Sequence, residues 1–239
     1  MGLKFYFPWC PFGRENNPAP AETKEVSERL AGENRYETAA QIALEGWEKA
    51  DVAILASGLN ENLVDALTAA PLAKSLDAPI LLTRGDKVPD ATLEALEQLQ
   101  VQEVYTVTGA LKKADLEKFF ADKELEITIT ELGGKDRFET SANIADQLEN
   151  VENVVIAYAY KNADAVSVAS AAAIENMPIL LTKKNVLPDP QADYLATIKD
   201  QVQKTYVVGG EAAISPEVFA ELPGTEDESK FRIAGNDRS

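Results

Sequence analysis

A stretch near the start of the chain, RLAGENRYETAAQIA at 29–43, returns as LGGKDRFETSANIA at 132–145 and opens again as RIAGNDRS at 232–239. The glycines of the three stretches, Gly32, Gly134 and Gly235, recur about every hundred residues, so the chain is two copies of one module and the beginning of a third. Other markers keep the same order. DAPILLT at 77–83 matches NMPILLT at 176–182, Asp65-Ala66-Leu67 matches Asp164-Ala165-Val166, and VYTVTG at 104–109 matches TYVVGG at 205–210. That period is too long for a solenoid of one or two elements per repeat, so each copy is expected to be a small domain with its own core.

Within the first copy, Tyr36, Ala39, Ala40, Ala43 and Trp47 fall on one face of a helix over 33–50. Further helices are predicted over 62–76, 90–99 and 112–120, and strands over 52–56, 79–83, 103–108 and 127–132. The second copy repeats the order, with helices over 138–149, 163–175, 189–202 and 216–222 and strands over 154–157, 178–182, 205–208 and 230–233. Short apolar strands alternating with helices imply right-handed crossovers, so the expected architecture is two tandem three-layer α/β modules with mainly parallel sheets. Alanines at 66, 69, 70 and 73, and at 165, 169, 172 and 173, predict close helix packing.

The formal charge of −17 weighs against nucleic-acid binding, which needs a basic face to neutralise phosphate. No run of eighteen apolar residues marks a membrane span. The single cysteine, Cys10, cannot form an intramolecular disulfide, and the lack of histidine removes Ser–His and Cys–His catalysis and the commonest metal ligand together. There is no GxGxxG, no GxxxxGK[ST] and no DxD at a strand end, so no catalytic residue, metal or cofactor is assigned. Residues 1–21 are rich in proline and aromatic residues, without a helix or strand period or a signal-peptide apolar core. They read as a flexible tail, or as a segment whose Phe5, Phe7, Trp9 and Phe12 dock on the body.

The set RxxGxxRxxT, Asp-Ala-Leu before an alanine-rich helix, PILLT, and YVVGG followed by Ala-Ile-Ser resembles the cell-wall-binding repeat type 2 family, carried by clostridial and bacillar surface proteins and wall amidases. The resemblance covers nearly everything past the tail. It departs where Glu131 stands in place of Arg29 and Arg232. The resemblance implies a Toprim-like or Rossmann-like fold and a non-catalytic module that holds a secreted protein at the cell wall or surface by binding a secondary, anionic wall glycopolymer. It also implies tandem triplets arranged about a pseudo-threefold axis. On that reading, residues 1–27 are the tail, 28–130 the first repeat, 131–231 the second and 232–239 the start of a third. The expected partner is a bacterial wall polymer, with self-association or another wall-binding repeat beside it. Two other readings stand next to it: a structural self-assembly module of a surface protein, and a degenerate Toprim-like phosphoesterase.

Several residues are candidates for polymer contact. Arg35, Arg137 and Arg238 sit where a glycine turn feeds a helix start; each can grip a phosphate or carboxylate, hold the turn, or pair with Asp65 or Asp164. Asp65 and Asp164 are helix caps, ion-pair partners or sugar ligands. Gly32, Gly134 and Gly235 are expected to supply backbone freedom, and Glu37, Thr38, Glu139 and Thr140 to cap. Thr83 and Thr182, followed by Arg84 and by Lys183 and Lys184, lie at a strand's carboxyl end, as polymer contacts or as solvated loop. Ile80, Leu81, Leu82 and Ile179, Leu180, Leu181 resemble the family's ILL triplet, linked there to wall retention, and read physically as core.

Overall fold

The computed structural model describes residues 29–85, 87–225 and 228–235. The N-terminal segment with Cys10 and the aromatic cluster, and Arg238, lie outside the described residues. Both repeats fold within the unit over 31–239.

The first copy runs α1 (Arg35–Gly46), β1 (Val52–Ser57), α2 (Leu63–Thr68), α3 (Ala70–Ser75), β2 (Ile80–Thr83), α4 (Asp90–Gln98), β3 (Glu103–Thr106), α5 (Lys113–Asp122) and β4 (Thr128–Glu131). The second runs α6 (Arg137–Ala145), β5 (Asn153–Tyr158), α7 (Asn162–Ile174), β6 (Ile179–Thr182), α8 (Asp189–Ile198), β7 (Lys204–Val208), α9 (Pro216–Glu221) and β8 (Lys230–Ile233). Each copy builds its own four-stranded sheet, ordered β2-β1-β3-β4 and β6-β5-β7-β8, and every pairing is parallel. The register repeats as well: Ile54 lies opposite Ile80, and Val155 opposite Ile179. The strand at the start of the third motif, β8, completes the second sheet as β4 completes the first.

One expected helix is broken. The stretch 62–76 is a 3-10 turn over Asn60–Asn62, then α2, then α3, with the break at Ala69. Pro71 is the cause, since it has no N–H to donate and its ring crowds the carbonyl four residues back. Ser170 holds the matching place in the second copy, and there α7 runs unbroken for 13 residues. The expected helices 138–149 and 189–202 stop short, at Ala145 and Ile198. Before each ILL triplet the chain closes its helix through a left-handed residue, Asp77 at φ 49° and Asn176 at φ 52°. Ala78 N–H then bonds Ala73 O, and Met177 N–H bonds Ala172 O, both at 2.8 Å, which satisfies carbonyls that a helix end leaves open.

Each sheet is covered on both faces, as wholly parallel sheets require. Leu55, Leu81 and Val104 pack under α1, α4 and α5 through Ala40, Leu96 and Phe120. Val154, Ile156 and Leu180 pack under α6, α8 and α9 through Ile144, Leu195 and Val218. The remaining faces are filled by α2 and α3 and by α7, and these helices also pack against each other. Val64, Leu67 and Ala70 of the first copy share one cluster with Ala165, Ala169 and Ala172 of the second. The alanines let the helices approach closely, so the two copies meet through a continuous apolar layer.

Candidate polymer-binding site

The repeated motif folds as a capped helix start. Asn34 Oδ1 accepts from the N–H groups of Tyr36 and Glu37, and Asp136 Oδ1 accepts from those of Phe138 and Glu139. Glu37 and Glu139 reach back to accept from Glu33 N–H and Lys135 N–H, each at 2.7 Å. The hydroxyls of Thr38 and Thr140 accept from Gly32 N–H and Gly134 N–H and donate to the carbonyls of Asn34 and Asp136. Glu37, Thr38, Glu139 and Thr140 are therefore capping residues. The glycines serve a different need from the one expected. Neither has a positive φ; a Cβ on Gly32 would lie 2.2 Å from Glu37 Cβ, and one on Gly134 would lie 2.6 Å from Glu139 Cβ. Room for the folded-back helix start, and not conformational freedom, requires them.

The motif arginines are held by backbone. Arg35 Nη1 donates to Gly58 O and, at 2.8 Å, to Asn60 Oδ1. Arg137 Nη1 donates to Ala159 O at 2.8 Å, and its Nη2 donates to Glu61 O of the first copy at 3.1 Å. Gly58 and Ala159 occupy the same place just after β1 and β5, so the contact is part of the repeat. Arg137 in addition ties one copy to the other.

Asp65 and Asp164 do not cap: neither α2 nor α7 has a side-chain cap bond. Asp65 is 7% exposed, and its Oδ1 has no hydrogen-bond partner. Burial raises its pKa to about 7, against the opposing pull of Arg137. It lines a crevice of ≈ 310 Å3 with Asn62, Thr108, Gly109, Gly134 and Arg137. Asp164 is half-buried.

Thr83 and Thr182 are fully buried, and their hydroxyls donate inward, to Ala56 O and to the carbonyls of Lys183 and Val186. The cations after them stay exposed and lie over aromatic faces. Arg84 sits 4.9 Å from the Tyr36 ring centre, and Lys183 sits 5.1 Å from that of Phe138. Sequence reasoning passed over Tyr36 and Phe138, the buried rings on which these cations rest. Their signal is the aromatic that directly follows the motif arginine in both copies. Each pair lines a groove between a motif helix start and the start of the helix after the ILL strand. The first groove, ≈ 340 Å3, includes Asn34, Tyr36, Arg84, Lys87 and Asp90; the second, ≈ 650 Å3, includes Lys135, Phe138, Lys183 and Asp189. Beside the second groove Tyr160 is 56% exposed, stands edge-on to Phe138 at 6.3 Å and carries Arg137 at 5.5 Å. Leu81, Ile179, Leu180 and Leu181 are buried, and Ile80 and Leu82 half-buried.

A duplicated parallel α/β module with the same groove in each copy defines a repeat-built binding protein. The chain belongs to the family described as cell wall binding domain 2, whose pattern matches residues 29–112 and 131–219. It is therefore a cell-wall-binding module. It is 34% identical over 213 residues to the N-acetylmuramoyl-L-alanine amidase LytC of Bacillus subtilis (strain 168), covering 88% of this chain and 40% of that protein. It is 28% identical over 214 residues to the amidase enhancer of the same organism, covering 89% of this chain and 28% of that one. The chain thus spans well under half the length of these relatives. Among solved structures it superposes on Cwp6 from Clostridium difficile with a TM-score of 0.76, at 28% identity over 92% of this chain and 36% of that one. Cwp8 from Clostridium difficile gives a TM-score of 0.74, at 30% identity over 87% and 35%.

Proposed function

We propose that this module works outside the cell, where it anchors a surface protein by holding an anionic secondary glycopolymer of the wall and catalyses nothing itself. The observation that carries this reading is the duplicated groove. An exposed cation resting on a buried aromatic ring offers an anion contact in each copy. In the second copy the exposed ring of Tyr160 adds a flat apolar surface for a sugar ring. Because the chain as a whole is strongly negative, the attraction for an anionic polymer is local, made at Arg84, Lys87, Lys135 and Lys183 and not by long-range steering. Two copies of a weak groove on one rigid body raise the overall affinity for a repeating polymer through effective concentration.

The test is charge reversal at the paired positions. Arg84→Glu with Lys183→Glu is expected to cut retention on Bacillus subtilis walls by about tenfold or more, with unchanged circular dichroism, because both residues are exposed. Full retention by the double variant would contradict the reading.

Self-association is a second reading, favoured by one observation. Val166 and Ile174 on the outer side of α7 are 56% and 74% exposed, next to the alanine-rich layer that joins the copies.

A further inference from the structure

We propose that the crevice at the junction of the two copies is a saccharide subsite, in which the Asp65 carboxylate accepts a hydrogen bond from a hydroxyl or acetamido N–H of one sugar residue of the wall polymer. The inference rests on the polymer-binding reading and names the part of the polymer that this place takes.

Three observations converge on it. The crevice lies where open α/β sheets hold ligands. β1 sits between β2 and β3, so the winding reverses between β1 and β3, and the crevice opens beyond the carboxyl ends of those two strands. Asn62 and Asp65 follow β1, and Thr108 and Gly109 follow β3. Second, Asp65 is buried with Oδ1 unpartnered, and a buried acceptor without a donor is costly unless something supplies the donor. Third, the motif of the second copy closes the crevice, with Gly134 backbone packed against Gly109. A Cβ on Gly109 would lie 2.8 Å from Gly134 O, so the two copies can close around the crevice this tightly only with glycine there.

The same residues select the ligand class. A phosphate is disfavoured, because the carboxylates of Asp65 and Asp136 both line the crevice and two of the Arg137 donors already bind Ala159 O and Glu61 O. A metal ion is disfavoured, because Lys135 and Arg137 share the crevice and no group of three acidic or cysteine side chains converges among the described residues. A neutral, donor-rich unit remains, and ≈ 310 Å3 is at the lower end of the volumes that hold small ligands. The phosphates or carboxylates of the polymer then fall to the cation-bearing grooves, and its sugars to the junction. Asp164, the matching carboxylate of the second copy, is half-buried; the residues that correspond to Lys135, Asp136 and Arg137 fall at 236–238, outside the described residues.

The probe is a set of neutral oligosaccharides released from Bacillus subtilis walls by cleaving their phosphodiester bonds, titrated into the full chain. Calorimetry at pH 8, where Asp65 is ionised, is expected to show binding that Asp65→Ala weakens by about tenfold or more, as loss of a hydrogen bond to a charged group implies. Asp65→Asn keeps an acceptor without the charge and is expected to weaken binding less. In the unsubstituted protein, amide shifts on titration should fall at 108–110 and 134–137, a readout that does not depend on how a variant folds. Equal affinity in the wild type and Asp65→Ala, shifts confined to other residues, or no oligosaccharide binding by a chain that sediments with intact walls would each overturn the subsite. A chain that binds oligosaccharide but not intact walls would instead overturn the anchoring reading.

Discussion

Asp65 and Arg137 are the residues on which the junction turns, and each makes a separate prediction. The pKa of Asp65 is raised in the fold from 3.8 to about 7, so between these values the folded protein keeps a proton that the unfolded chain has released. Its contribution to stability is fully present below about pH 4, is lost as pH rises toward about 7 and is flat beyond, amounting to at most about 4 kcal/mol. Arg137 opposes the shift, and Lys135 and Asp136 share the crevice. Asp65→Asn removes the titration. In urea denaturation its advantage over the wild type is expected to grow between pH 4.5 and pH 8; a constant difference would contradict the burial argument. Arg137→Ala removes two charge-assisted bonds, one of them across the junction, and is expected to cost about 1–3 kcal/mol. Arg35→Ala, at an exposed position, should cost less, and denaturation of the two variants side by side checks this ordering. The importance of these positions was legible in the repeat, but their roles were not. A motif shows that an arginine is retained between copies, but its partners, the carbonyls after β1 and β5, lie far along the chain.

At the scale of elements, the alternation of short apolar strands with helices was enough to give parallel sheets, because a parallel strand buried on both faces leaves an uninterrupted apolar run. Helix continuity in the first copy was less accessible. Pro71 was visible in the sequence, yet the alanine-rich period around it reads as one helix, and the break depends on the ring's clash with its own turn. The alanines themselves announced close packing without naming the partner, which is the other copy. That packing can be tested directly. Ala169 is 9% exposed and belongs to the cluster shared with Val64, Leu67 and Ala70. Ala169→Leu inserts bulk into a filled layer and is expected to cost about 1–3 kcal/mol. Limited proteolysis should show the copies separating before either sheet is cut. Unchanged denaturation would mean that the layer between the copies is loosely packed.

For the molecule as a whole, one body presents the same groove twice and one junction between them. The exposed Val166 and Ile174 give self-association a surface, while the charge of −17 opposes it. Sedimentation velocity should therefore show association that strengthens with salt as repulsion is screened. A monomer at high concentration in both low and high salt would leave that face without a partner of its own kind. The central claim, that the module anchors by holding a secondary wall polymer, is tested most directly by cosedimentation of the full chain with Bacillus subtilis walls before and after their secondary polymers are stripped. The protein is expected to pellet with intact walls and to stay in solution with the stripped ones. Equal pelleting with both would contradict it and would place the binding on the remaining peptidoglycan.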